Sequence, residues 1–180
     1  MNELPDKLTE RIVQQSIWND LRNSYHPIMP NFTPGDWWEC DIWAVAKASG
    51  LWSEFEIKLT AADVKKDLTK IRTHWCRKTR QEIVERKHDQ LAQPELGPSR
   101  WWLVVPEALA DKISVPDYAG LKMFRRASAA RLAFVTVKQA PLRNRNKPDK
   151  VVLDHVHSAC YWRYWNARND IVKHARKLVV

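Results

Sequence analysis

Apolar residues recur at helical spacing in three parts of this chain. Over residues 8–21 they return every three to five positions, which predicts a first amphipathic helix. A second helix is predicted from Thr60, where Thr-Ala-Ala-Asp has the form of a capping box, and it runs either to a break near Thr79 or on to Gln90. Residues 154–178 are predicted to form a C-terminal helix.

Short stretches rich in aromatic and β-branched residues, typical of strands, lie between these helices. The first two are joined by a turn that contains Gly50, which predicts a hairpin. The proline-containing segment before them is interpreted as a loop. The order of elements predicts an α/β or α+β sheet with helical cover, in a single domain over residues 1–180 with a core at about 8–137. The candidate strands are residues 37–46, 51–59, 101–105, 121–124 and 132–137.

Composition narrows the choice of partner and compartment. The formal net charge of +9 favours a polyanionic partner such as nucleic acid. No apolar run is long enough for a membrane helix, so no membrane partner is expected. The charged start does not resemble a signal peptide, and three scattered cysteines do not suggest disulfides or a zinc site, so a cytoplasmic location is expected. Most of the ten tryptophans are expected in the core, with one or two as candidate base-stacking platforms.

Acidic residues of the two hairpin strands fall on one face, because side chains alternate along a strand. If the hairpin closes symmetrically over its even-length turn, Asp41 lies opposite Glu56 and Glu39 lies opposite Lys58. Two carboxylates that close repel each other unless a cation lies between them or one is protonated, and Mg²⁺ prefers such oxygen ligands. The alternative is a solvent-facing hairpin surface in which Glu39 and Lys58 form a simple ion pair.

Asp41, followed after a turn by Glu56-Ile57-Lys58, resembles the D…(D/E)-x-K signature of the PD-(D/E)XK superfamily, the restriction-endonuclease-like nucleases. The residue before Asp41 is Cys40, where the named pattern has proline. The resemblance covers about residues 37–124, and this part of the chain resembles small bacterial and phage members. The runs that carry it are EIKLTAADVKKDL, Lys87-His88, WWLVVPEAL and VPDYAGLKMF.

The resemblance implies a restriction-endonuclease-like core, with a mixed central sheet flanked by helices. It implies that Asp41 and Glu56 bind Mg²⁺ or Mn²⁺, often together with the backbone carbonyl of Ile57. Lys58 would position or activate the attacking water and offset charge at the scissile phosphate. Many relatives add a glutamate from the first helix, and Glu10 matches that place by its order in the chain.

Basic residues that follow the candidate catalytic strand are the expected nucleic-acid-binding surface. On the predicted second helix they recur at spacings that align them beside the apolar stripe, where they could follow a phosphate backbone. The alternative is a solvated helix face. The candidates are Lys66, Lys70, Arg77, Arg80 and, beyond them, Lys87.

These features together favour a metal-dependent nuclease, expected to be a DNA endonuclease in repair or recombination or one carried by a phage. A catalytically silent nucleic-acid-binding protein on the same fold is the first alternative, and a basic interaction protein is the second. The sequence leaves open DNA or RNA, one or two metal ions, and base specificity. A homodimer is a further expectation, because cutting two strands requires two sites.

Overall fold

The computed structural model describes residues 4–5, 7–76 and 80–177, and their side chains apart from those of 74–76 and 172–177. The chain forms two compact units, Met1–Lys147 and Pro148–Val180. The elements are α1 (Glu10–Leu21), β1 (Tyr25–Phe32), β2 (Cys40–Ala46), β3 (Trp52–Ile57), α2 (Ala61–Leu68), β4 (Ile71–Cys76), β5 (Gln81–Arg86), α3 (Lys87–Ala92), β6 (Arg100–Pro106), α4 (Glu107–Ala110), β7 (Ala119–Ser128), β8 (Arg131–Lys138) and α5 (Lys150–Lys177).

A mixed sheet organises the first unit. Within the described residues it has six strands in the order β1-β2-β3-β6-β7-β8. The central pairs β3–β6 and β6–β7 are parallel, and the outer pairs are antiparallel. A parallel pair needs a long crossover connection, and the one between β3 and β6 contains α2, a separate β4–β5 hairpin and α3. This crossover supplies one wall of the site described below.

The two faces of the sheet are covered by different helices. On one face Val13 and Ile17 of α1 pack with Phe55 and Ile57 of β3 in a fully apolar cluster. Burial of each such side chain contributes about 1.5–3 kcal/mol. On the other face, apolar residues of α2 and α3 pack with Trp101 of β6. Because β3 alternates, its glutamates point towards this second face, so the acidic side of the hairpin lies inside the protein.

The predicted α/β class, with a mixed sheet flanked by helices, is confirmed, and so is the hairpin register. The chain is α/β, with a mixed six-stranded sheet flanked by helices among the residues described. The β2–β3 hairpin pairs Ile42 with Phe55 and Val45 with Trp52, the symmetric register that the turn predicts. The predicted first helix corresponds to α1, and the strands predicted after residue 100 correspond to β6, β7 and β8.

The segment interpreted as a loop before the hairpin is instead strand β1, so that prediction is wrong. It contains Pro27 and Pro30, which cannot donate a hydrogen bond to a neighbouring strand. β1 is an outer strand of the sheet, where proline is tolerated. Its pairing with β2 is also irregular between Tyr25 and Ile28, beside Pro27.

The long second helix is also wrong. Its capping box forms as predicted at Thr60, but α2 ends at Leu68 and the chain enters the β4–β5 hairpin. The Thr69 hydroxyl donates to the Lys66 carbonyl at 3.0 Å, which helps to close the helix. In the hairpin Arg72 pairs with Glu85 at 2.6 Å and its guanidinium lies 4.7 Å from the ring centroid of Trp38. The first contact joins the two strands of the hairpin and the second ties it to a residue outside the segment, and both favour strands over a continued helix.

The C-terminal helix is confirmed as α5, which begins at Lys150, four residues before its predicted start, and forms the second unit. No helix in the described part of the chain is long and apolar enough to cross a membrane.

Candidate active site

Asp41 and Glu56 come together at the open end of the β2–β3 hairpin. Continuing the register of the paired residues places them opposite each other, as the sequence predicts. The Ile57 N–H donates to Asp41 Oδ2 at 2.7 Å, which fixes the Asp41 carboxylate against the end of β3. Glu54 and Glu56 are 0% and 1% exposed. The alternative of a solvent-facing acidic surface is therefore wrong.

Lys58 lies just beyond β3 among three carboxylates. Its N–H donates to the Val104 carbonyl at 2.9 Å, which extends the pairing with β6 and fixes its backbone. Its Nζ lies 2.6 Å from Glu56 Oε1, 3.4 Å from Asp67 Oδ1 and 3.8 Å from Asp41 Oδ2. Burial alone would lower the pKa of Lys58, but these carboxylates raise it above its ordinary value. Glu39, the alternative ion-pair partner, is exposed.

The predicted nucleic-acid-binding role of Lys87 is wrong, because the side chain is buried. Its side chain is 0% exposed, and its Nζ lies 2.6 Å from Glu54 Oε1 and 2.7 Å from Glu56 Oε2. A lysine enclosed in this way cannot contact a phosphate backbone. Burial would lower its pKa, but Glu54 and Glu56 raise it well above the ordinary value. The signal in the sequence is indirect: two glutamates on a buried face require a counter-charge.

Glu54 is held by two tryptophans as well as by Lys87. The indole N–H of Trp37 donates to its Oε2 at 2.8 Å, and that of Trp101 donates to its Oε1 at 3.0 Å. Burial alone would raise the pKa of Glu54, but Lys87 and the indole hydrogen bonds lower it below its ordinary value. Glu54 is therefore an ionised anchor for Lys87, and these two tryptophans are hydrogen-bond donors of the core.

Sequence reasoning missed Asp67, His88 and Tyr118. His88 Nε2 lies 2.9 Å from Asp67 Oδ2, and His88 Nδ1 lies 2.6 Å from the Tyr118 hydroxyl oxygen. Burial would raise the pKa of Asp67, but the His88 hydrogen bond and the nearby lysines hold it well below its usual range. The sequence holds one signal for Asp67. It follows Asp63 of the capping box by four residues, so the two lie on the same face of the helix.

Glu10 lies at the start of α1, near Asp41. Gln14 Nε2 is 3.0 Å from Glu10 Oε1 and 3.0 Å from the Asp41 carbonyl oxygen, so one amide links the helix to the hairpin. Burial, then the charge of Asp41, raises the pKa of Glu10. The structure therefore brings Glu10 to the vicinity that its order in the chain suggested.

Carboxylates outnumber lysines at the centre of this arrangement. Burial raises the pKa of Glu56 to about 8; the ammonium of Lys87 opposes this, while Asp41 and Asp67 add to it. Burial also raises the pKa of Asp41. Crowded oxygen donors with surplus negative charge favour either a bound proton or a bound cation. Among the described residues, the charged groups in contact here are the carboxylates Asp41, Glu54, Glu56 and Asp67 and the lysines Lys58, Lys70 and Lys87.

An open cleft of about 630 Å³ leads to Lys58. Lys66 and Lys70, both expected to bind nucleic acid, line it together with Glu10. Arg80 is exposed at the β4–β5 turn and does not line this cleft, and Arg77 lies outside the described residues. The basic surface is therefore formed by α2 and the residues just after it, and it is no continuous helical stripe.

The fold also occurs in a solved structure described as SPO1766, a protein of unknown function from Silicibacter pomeroyi. The two align with a TM-score of 0.60 over 91% of this chain and 94% of that chain, at 16% sequence identity. This likeness shows a shared fold. No family model matches the chain, and no curated protein matches it in sequence.

Proposed function

We propose that the protein is a metal-dependent nuclease of the PD-(D/E)XK type, with DNA as its expected substrate. The observation that carries the proposal is the meeting of Asp41, Glu56 and Lys58 beside a cleft lined with lysines. Phosphodiester hydrolysis requires groups that activate water, balance charge on the phosphate and bind the neighbouring backbone. Each requirement has a candidate group at this cleft.

The residues fit a Mg²⁺ or Mn²⁺ ion in charge and in donor chemistry. Asp41 and Glu56 would hold it, with the Ile57 carbonyl and Glu10 as further oxygen donors. The carboxylate surplus leaves negative charge for a divalent cation to balance. Within the described residues, however, no three His, Cys, Asp or Glu side chains are already arranged around a common point. Lys58, which pairs with Glu56, would compete with a cation for that carboxylate.

A bound metal ion would lower the pKa of a water molecule and neutralise phosphate charge. Lys58 can donate a hydrogen bond to that water or to a phosphate oxygen, where its charge opposes the charge that develops during attack. Lys66 and Lys70, on the wall of the same cleft, can neutralise neighbouring phosphates. Glu54 and Lys87 hold the buried part of β3 rigid beneath these groups.

One observation favours the silent nucleic-acid-binding alternative. Glu56 is paired with Lys58 through one oxygen and with Lys87 through the other, so the site is partly neutralised by the protein itself. In that case the cleft lysines would bind phosphates, and no bond would be cut.

A cleavage screen separates the two. Purified protein is incubated with Mg²⁺ or Mn²⁺ and single-stranded, duplex, flapped or branched DNA, or RNA, and binding is measured separately in EDTA. We expect cleavage of at least one substrate, abolished by EDTA. Binding without cleavage of any substrate would support the silent alternative, and neither binding nor cleavage would reject both functions.

A further inference from the structure

A chain of polar side chains runs from the cleft into the protein. Lys58 Nζ lies 3.4 Å from Asp67 Oδ1, Asp67 Oδ2 lies 2.9 Å from His88 Nε2, and His88 Nδ1 lies 2.6 Å from the Tyr118 oxygen. The four residues come from the end of β3, from α2, from α3 and from the loop before β7. Their convergence depends on the tertiary fold.

In the tautomer with its proton on Nε2, His88 donates to Asp67 and accepts from the Tyr118 hydroxyl. Burial raises the pKa of Tyr118 to about 12, so its hydroxyl keeps its proton and can donate to His88 Nδ1. An imidazole that accepts at Nδ1 carries its proton on Nε2, which then donates to Asp67. The His88 ring lies edge-on to Trp101, with centroids 5.4 Å apart, which restricts its rotation. Asp67, 6% exposed, is thus held as an oriented anion.

The orientation of Asp67 matters because Lys58 has three protons to place. Glu56 accepts one at 2.6 Å, and Asp67 lies on the α2 side of the ammonium at 3.4 Å. Asp41 Oδ2, at 3.8 Å, is beyond hydrogen-bond distance, so with Glu56 and Asp67 as fixed neighbours the third N–H remains for the cleft. Without Asp67, the ammonium would keep one close ion pair, to Glu56, and the more distant Asp41, and it could rotate away from α2.

We propose that Asp67 is a positioning residue that holds the Lys58 ammonium at the cleft, and that His88 and Tyr118 hold Asp67 in turn. The inference rests on the proposed function, in which Lys58 is the catalytic lysine. It adds that the lysine acts from a place fixed by α2 and α3.

Matched substitutions test this in the cleavage reaction. Asp67→Asn should lower kcat by about 100-fold, the cost of misplacing a reacting group by about 1 Å, with nucleic-acid affinity in EDTA little changed. His88→Leu should behave in the same way. His88→Gln, which keeps a donor to Asp67, should recover most of the activity. Asp111→Asn is the control, because Asp111 is exposed just after α4 and does not line the cleft.

The positioning role is overturned if Asp67→Asn costs no more activity than Asp111→Asn. It is also overturned if His88→Gln and His88→Leu are equally impaired, since that pattern would indicate a packing role for the ring.

A second readout does not depend on cleavage. Lysines are acylated with acetic anhydride and the extent at each position is measured by peptide mass spectrometry. Asp67→Asn and His88→Leu should speed the labelling of Lys58 several-fold over wild type, while buried Lys87 stays protected and reports an intact fold.

Unchanged labelling of Lys58 contradicts the proposal whatever the cleavage screen gives. Faster labelling in a protein that cuts nothing would keep the positioning role and reject the nuclease. If Lys87 also becomes labelled in Asp67→Asn, that variant has lost its fold. The comparison of His88→Leu with His88→Gln then tests the proposal.

Discussion

Glu54 and Glu56 lie two positions apart on β3 and point to the same side of the sheet, yet their surroundings shift their pKa values in opposite directions. Glu54 receives two indole N–H groups and the Lys87 ammonium. Glu56 receives the ammonium groups of Lys58 and Lys87, with that of Lys70 at 3.9 Å, but faces Asp41 and Asp67 as well. The inner glutamate is therefore suited to hold Lys87, and the outer one is suited to respond to a cation at the cleft.

Replacing Lys87 tests whether it belongs to the core. Lys87→Met should lower the free energy of unfolding by about 3–5 kcal/mol, because buried Glu54 loses its ammonium partner and Glu56 loses one of its two close ones. Adding Glu54→Gln should recover part of this loss, since one unpaired charge is removed. The measurement is urea unfolding followed by circular dichroism.

The control for this experiment is Lys65→Met, an exposed lysine of α2, which should change the free energy of unfolding by less than about 0.5 kcal/mol. If Lys87→Met were as stable as Lys65→Met, the burial of Lys87 and its two ion pairs would be refuted.

At the scale of elements, the sequence pattern predicts those segments whose structure depends on residues close in the chain. The hairpin register follows from side-chain alternation and a short turn, and this register places Asp41 opposite Glu56. α1 followed from its apolar periodicity. Both are segments in which the sequence pattern and the tertiary packing agree.

The wrong predictions, of a loop before the hairpin and of a long second helix, have a cause in the tertiary structure. Ile71 and Thr73 continue a helical spacing and also fit an alternating strand, and the contacts of Arg72 with Glu85 and Trp38 are made with residues distant in the chain. Strand β1 tolerates prolines because it is an outer strand, which local pattern does not reveal. The Asp67–His88 contact joins residues 21 positions apart, so no local motif predicts it.

Of the basic surface predicted from the sequence, α2 and the residues just after it remain as candidates. Replacing Lys70 tests their role in nucleic-acid binding. Lys70→Ala should weaken nucleic-acid binding and reduce the slope of log K against log salt concentration by about 1, as the loss of one phosphate contact requires. Lys65→Ala is the matched control, because Lys65 is exposed on α2 but does not line the cleft. Titrations by fluorescence anisotropy in EDTA measure both slopes. An equal slope for Lys70→Ala and wild type would remove Lys70 from the contact surface.

At the scale of the whole molecule, charge is divided between surface and site. The chain carries a formal net charge of +9, whereas the buried centre has more carboxylates than lysines. A basic exterior attracts a polyanion, and an acidic centre favours a cation. The homodimer expected from the sequence stays a prediction, for which analytical ultracentrifugation with and without duplex DNA is the measurement.

The most direct test of the central claim is the rate of metal-dependent cleavage in wild type, Asp41→Asn and Lys58→Ala, each with Mg²⁺ or Mn²⁺ and with EDTA. Wild type should cut only with metal. Both variants should lose at least about 100-fold in rate, as expected when a group that stabilises transition-state charge is removed. Their affinity for nucleic acid in EDTA should stay within a few-fold of wild type, and Lys65→Ala should cut at the wild-type rate. Variants at Asp41 and Lys58 that cut as fast as wild type would contradict the assignment.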